Sequence, residues 1–420
     1  MTVKALFALA LLLQVYSASC QEAAGRPVNG QDFALFAHRQ DSLFVKAYEQ
    51  RDTRRYDSLL RGFLEYYDLL PAQERKVYAH DLYEAYYNFC CTWSLLNNRP
   101  RALEYLEKSI KAGFYNYAHL NSDPDLENIR GERRFGELTS PLRATGDYLY
   151  ILKKAAAYDP EDKRALPAFT YLPASDPALA ALRKTYRLDS IAGTGNDVSK
   201  VLNLLHWVHN LVPHDGNSEN PVIKNAMSLI GVCQRDSRGL NCRGLATVLN
   251  ECYLSMGFPS RFVTCLPKDS LQVDPDCHVI NMVYLAGLKK WVWIDPTNDA
   301  YIMNKKGELL SIEEVRDRII RDRPLIVNPD ANWNHRSSTL KEDYLYRYMA
   351  KNLYMLQCPV NSDFDTETLG KGKVYAYIQL LPLDYFRQGP DKTERKYPQD
   401  NGVQVTYRTN DPGKFWAVPN

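Results

Sequence analysis

Between Leu240 and Tyr301 the hydrophobic pattern of the chain changes from helical to strand-like, and this change constrains the fold more than any other feature. Asn241 is a favourable helix N-cap. The run after it, CRGLATVLNECYLSMG, sets Leu245, Val248, Leu249, Cys252 and Met256 on one helical face, with Gly257 at the expected stop. Three strand-like runs follow, Ser260–Leu266, His278–Leu285 and, after the Ala286-Gly287 turn, Lys290–Asp295. The last two read as a hairpin. A helix followed by paired strands gives this part of the chain an α+β fold.

The same pattern places reactive groups. Cys242 falls in the first turn of the helix, where unpaired N–H groups and the positive end of the helix dipole stabilise a thiolate. With a cationic partner such a thiol has its pKa lowered to about 3.5 to 7.5. Cys252 lies on the apolar face and reads as inert core. His278 opens the second strand and Asp295 closes the third, so an antiparallel pairing brings an imidazole and a carboxylate to one edge. That is the base and orienter a thiol nucleophile needs. An acyl-transfer site also requires donors to a developing oxyanion. The Cys242 N–H is one, and His214 and Asn241 are the candidates for the second. Trp207, mid-helix, reads as core. His206 and His209 read as a surface and a packing residue. Cys233, Cys242, Cys252, Cys277 and His278 form no CxxC or helical HxxxH pattern, so no metal site and no cofactor are expected.

The order NCRGLA, DCHVIN, WIDPT resembles the transglutaminase-like superfamily of papain-like cysteine enzymes. The resemblance covers about Val198 to Ile312, roughly a quarter of the chain, and extends to the helix HWVHNLV and the turn Gly257 to Arg261. It implies that Cys242 is the nucleophile, that His278 acts first as base and then as acid, and that Asp295 holds the His278 tautomer. The implied reaction is acyl transfer through a thioester on a polypeptide or glycopeptide. Water or an amine can resolve the acyl-enzyme. Hydrolysis of amide or peptide bonds is favoured, because cross-linking needs a site that excludes water. A cross-linking transglutaminase is the alternative, and a binding protein that keeps the enzyme fold only as scaffold is another.

The rest of the chain supplies context. The opening MTVKALFALALLLQVYSASCQ has one cation, an apolar run from Ala5 to Leu13 and small residues before Cys20, which reads as a signal peptide over residues 1–19. Cys20 resembles the lipidated cysteine of a bacterial lipobox. An exported cell-envelope lipoprotein, periplasmic or outer-membrane anchored, is expected, with membrane contact only through that lipid. Secretion after cleavage at Ser19 is the alternative. With 52 Lys+Arg against 50 Asp+Glu, a nucleic-acid partner is disfavoured.

A length of 420 residues suggests two or three domains. Residues 30–145 read as helical throughout. Ala85 to Gly113 resembles a tetratricopeptide repeat, with Cys90, Trp93, Ala102, Leu106 and Ser109 in place and Phe114 where the motif has proline. Such an array offers a surface for a protein partner. Many of the 29 tyrosines fall here and read mainly as packing between helices. Residues 146–196 read as a connector, 197–340 as the catalytic domain, and 341–420 as a helix (Asp343 to Leu356) plus a small β appendage. The expected fold class is therefore α+β: a helical-repeat domain, a transglutaminase-like domain and a C-terminal β extension. Of nine cysteines, Cys20 and Cys242 have their own roles and seven remain, so a fully paired disulfide framework is excluded.

Overall fold

The computed structural model describes residues 29–268, 271, 276–386, 392–397 and 402–419. The signal segment 1–19 and Cys20 lie outside the described residues. The chain divides between Asp147 and Tyr148 into two compact units.

The first unit is helical. Its longer helices are α1 (Gly30–Glu49), α2 (Thr53–Asp68), α3 (Ala79–Leu95) and α4 (Arg99–Ala112). Asn29, Asp52 and Asn98 each cap a helix by accepting an N–H of its first turn. Gly113 ends α4 at φ +119°, a left-handed conformation in which a Cβ is strained. Helices α3 and α4 run antiparallel: Ser109, late in α4, donates to the Tyr83 carbonyl early in α3. Cys90, Ala102, Leu106 and Ser109 are fully buried at this contact. The tyrosines serve packing as expected. Tyr56 stacks on Phe89 (4.6 Å) and donates to the Ala85 carbonyl (2.9 Å), while Tyr87 stacks on Phe114 (4.6 Å).

The second unit begins at Tyr148 and so takes in the segment read from sequence as a connector. That segment is not a free tether, because Leu179, Leu182, Leu188 and Ala192 are fully buried. Three helices follow, α5 (Asp197–Leu211), α6 (Ala226–Asp236) and α7 (Cys242–Ser255). Among the described residues, nine strands form one sheet: β1 (Ser260–Leu266), β2 (His278–Leu285), β3 (Lys290–Asp295), β4 (Ala300–Met303), β5 (Ile326–Val327), β6 (Met355–Pro359), β7 (Val374–Leu380), β8 (Lys392–Tyr397) and β9 (Gly402–Thr409). Their order is β8-β9-β7-β6-β1-β2-β3-β4-β5. All neighbours are antiparallel except β7 and β9.

Both faces of the central strands are covered. Val283, Leu285, Val292 and Ile294 pack with Leu245, Val248, Leu249 and Cys252 of α7. Ile280, Met282, Trp291 and Trp293 pack on the other side with Ile312, Val315 and Ile319 of α8 (Ile312–Ile320). Burial on both faces explains why these strands read as nearly continuous apolar runs.

The C-terminal part differs from expectation in one respect. The amphipathic helix read over Asp343 to Leu356 is a π-helical segment, Glu342–Met349, continued by Ala350–Asn352, after which the chain extends as β6. A short apolar run fits a buried helix or a buried strand equally well. Here pairing decides, since β6 bonds to β1 (Thr264↔Gln357) and to β7 (Ile378↔Cys358). Strands β7 to β9 therefore extend the same sheet as the cysteine-helix hairpin.

Candidate active site

Cys242 is the first residue of α7, and Asn241 caps the helix by accepting the Gly244 N–H (3.0 Å). Its own N–H, at the first helical position, has no intrahelical acceptor. Arg243 ties this end of α7 to the sheet, donating to Glu367 (2.8 Å) and to Thr264 (2.9 Å).

His278 and Asp295 are delivered by the β2-β3 pair. The register Asn281↔Ile294 leaves Asp295 diagonal to His278 on the same sheet face. His278 Nε2 lies 2.8 Å from Asp295 Oδ2, with both side chains buried. Asp295 has further donors: the Tyr344 hydroxyl (2.6 Å), the Asn298 amide (3.0 Å) and the Thr297 N–H (2.8 Å). Although burial opposes the charge, the His278 charge and hydrogen bond, with those of Tyr344 and Asn298, lower the Asp295 pKa to about 2. Burial likewise opposes a charged imidazole, but the Asp295 carboxylate outweighs it and raises His278 to about 10. The ring of Tyr348 stands edge-on to His278 at 5.2 Å.

At Cys242 burial again opposes ionisation. Hydrogen bonds from His214 and His278, the His278 charge and the Val279 N–H overcome it and lower the thiol to about 6. Both shifts favour a thiolate beside an imidazolium. The remaining described cysteines are free thiols, and burial pushes Cys90, Cys91, Cys233, Cys252, Cys265, Cys277 and Cys358 upward.

His214 reaches the thiol from a separate loop. It forms a parallel bridge with Leu240, and the Leu240 and Asp215 N–H groups donate to the Pro213 and Leu240 carbonyls (3.0 and 2.7 Å). Gly239 permits this approach, since a Cβ there would stand 2.5 Å from the Pro213 oxygen. Asn334 grips the His214 backbone on both sides, accepting its N–H (2.7 Å) and donating to its carbonyl (2.8 Å). Asn241, the other oxyanion candidate, is occupied as a cap and donates from Nδ2 to the Ser218 carbonyl (3.0 Å).

The structure thus brings Cys242, His278, Asp295 and His214 together. Sequence reading did not place Tyr344, Tyr348, Asn298, Asn334 or Trp333 at the site. Only Asn298, three residues beyond Asp295, carried a local signal. His206 pairs with both oxygens of Asp299 (2.7 and 2.8 Å), with Asp330 at 4.0 Å. These three donors gather within 4.8 Å, and the close His206-Asp299 contact reads as an ion pair. His209 is buried as expected, bonded to the Pro296 carbonyl and Asn332.

Comparison with known proteins adds what this region is similar to. Residues 185–296 match the profile of the Transglutaminase-like superfamily. A chloroplastic protein of Arabidopsis thaliana is 39% identical over 54 residues, 13% of this chain and 16% of that protein. A proposed cysteine protease from Cytophaga hutchinsonii, known from its crystal structure, is 18% identical over 43% of this chain and 65% of its own, with a TM-score of 0.24, too low to bear on the fold. The chain thus spans less than two thirds of either relative. Residues 185–296, within the second unit, are thus similar to the Transglutaminase-like superfamily, and the unit they lie in has an α+β architecture.

Proposed function

We propose that this chain is an exported cysteine-dependent acyl-transfer enzyme that hydrolyses amide or peptide bonds. The observation that carries the reading is one thiol, Cys242, lowered to about 6 between two histidines, with His278 backed by buried Asp295. The Cys242 thiolate attacks the amide carbonyl carbon, and the carbonyl π electrons move to oxygen. The tetrahedral adduct collapses, His278 gives its proton to the leaving amine, and a thioester remains. Water, deprotonated by His278, then attacks the thioester carbon, the C–S bond breaks to release the acid, and the Cys242 thiolate is restored beside a protonated His278. Asp295 keeps the Nε2 proton of His278 in place through both steps.

The export reading rests on residues 1–19 and a lipidated Cys20, and the helical first unit is proposed as a tetratricopeptide-like surface for a polypeptide partner. In the envelope the enzyme would meet peptides, glycoproteins or peptidoglycan stems. The test incubates wild type and Cys242→Ala with a peptide library, with and without a primary amine, and reads products by mass spectrometry. Cleaved peptides that depend on Cys242 support hydrolysis. New amide links to the amine would assign the chain to cross-linking, and identical products from both proteins would leave only a binding role.

A further inference from the structure

The two imidazoles at Cys242 have different groups behind them. His278 is backed by a carboxylate, which accepts a proton. His214 is backed by an indole, since Trp333 Nε1 lies 3.0 Å from His214 Nδ1. An indole N–H only donates, so Nδ1 of His214 is the acceptor and carries no proton. The proton of a neutral His214 is then on Nε2, the nitrogen left to face the thiol. Hydrogen bonding between His214 and Cys242 is among the causes that favour the thiolate. The imidazole has little freedom, because Asn334 holds its backbone, the Leu240 bridge fixes its loop, and Trp333 sits next to Asn334 in sequence.

We infer that His214 Nε2–H is the second oxyanion donor of the site, beside the Cys242 N–H, and that Trp333 is a positioning residue that fixes the His214 tautomer and ring direction. This rests on the acyl-transfer reading above. As the thiolate attacks, the carbonyl oxygen takes the π pair and the negative charge. Two N–H groups already aimed at that charge stabilise it without reorganising. An imidazole with its proton on Nδ1 would present a lone pair to the oxyanion, and the indole prevents that. The proton destined for the leaving group is held separately, on His278, the residue backed by Asp295.

Two probes separate this role from thiol activation. p-Nitrophenyl acetate acylates Cys242 through a tetrahedral oxyanion: sulfur bonds to the acetyl carbon, p-nitrophenolate leaves, and water later frees acetate. Iodoacetamide alkylates the same sulfur at a saturated carbon, expelling iodide with no oxyanion. Both rates are read where alkylation no longer changes with pH. His214→Ala is expected to slow acylation about 100-fold or more relative to alkylation. His214→Gln, which keeps a side-chain N–H, should recover part of that loss. Trp333→Phe, which keeps the ring and removes the N–H, should lose roughly tenfold in the same ratio through misplacement of the donor. Nitrogen-15 spectra of the His214 ring, assigned by their loss in His214→Gln, should show Nδ1 bare and Nε2 protonated in the wild type, and averaged nitrogens in Trp333→Phe.

Acylation and alkylation falling in step in His214→Ala, an unchanged ratio in all three variants, or a protonated Nδ1 in the wild type would overturn the assignment. If His214→Ala does not fold, His214→Gln and Trp333→Phe carry the same comparison. Acylation of Cys242→Ala at the wild-type rate would instead bring down the acyl-transfer reading, and this assignment with it.

Discussion

His278 Nε2 and Asp295 Oδ2 lie 2.8 Å apart in a place sealed from solvent, with 2% and 0% of their side chains exposed. A buried charge pair persists only when its remaining lone pairs are satisfied. Tyr344, Asn298 and Thr297 satisfy those of Asp295. Asp295→Asn replaces the acceptor with an amide that cannot hold the imidazolium and favours the wrong tautomer. Acylation should fall by about 10³ to 10⁴. Tyr344→Phe removes one of several donors, so its loss should be far smaller, and stopped-flow acylation of the two variants checks the ranking.

The same pair makes stability depend on pH. His278 has its pKa raised from 6.5 to about 10 by Asp295, against the opposing effect of burial. A raised basic pKa contributes stability that is fully present below the unfolded value and is lost as pH rises through the folded one. The His278 contribution to the wild-type urea midpoint should therefore decline between pH 6.5 and about 10, offset up to the ordinary thiol value of 9.0 by the lowered Cys242, whose slope has the opposite sign. In His278→Gln that component of the decline should be missing, as equilibrium unfolding across this range will show.

Gly239 sets the approach of the His214 loop to the start of α7. In Gly239→Ala the new Cβ meets backbone, 2.5 Å from the Pro213 oxygen, and one of the segments must move. The variant should lose about 1 to 3 kcal/mol of stability. It should also lose acylation, because the bridge that aligns His214 with Cys242 opens. Melting temperature and acylation rate measured on one preparation separate the two effects.

Arg261 is a buried cation with no carboxylate partner among its described contacts. Its guanidinium lies 3.6 Å from the Phe169 ring centre and 4.8 Å from that of Trp291, and Nη1 donates to the Phe415 carbonyl (3.3 Å). Among the described residues its Nε and Nη2 have no hydrogen-bond acceptor. Aromatic faces and packing hold it, so shape should matter more than charge. Arg261→Met should stay within about 1 kcal/mol of wild type, whereas Arg261→Ala should lose about 3 kcal/mol through the cavity left behind. Denaturant titration of both variants gives the comparison.

The legible part of this protein was the part built from local signals. The Asn241 cap, the apolar face of α7 and the boundaries of β1 to β3 follow from side-chain periodicity, which is why Cys242, His278 and Asp295 could be placed from sequence. Tyr344 and Trp333 could not. They act on residues 49 and 119 positions away, and no period in the chain encodes which loop folds back onto the site. The β6 strand was lost to the ambiguity of a short apolar run, and with it the continuity of the sheet from the hairpin to the C-terminal strands.

The pairing of a Cys242 thiolate with the His278 imidazolium is tested by the alkylation rate of Cys242 as a function of pH. Iodoacetamide modification of Cys242, followed by peptide mass spectrometry, should rise through about pH 6 to a plateau, while the other described cysteines, all pushed upward, stay slow. In His278→Ala the rise should move to higher pH. Labelling of Cys242 that rises only near the ordinary thiol value of 9.0, in step with exposed thiols and unchanged in His278→Ala, would show that His278 does not hold a thiolate there.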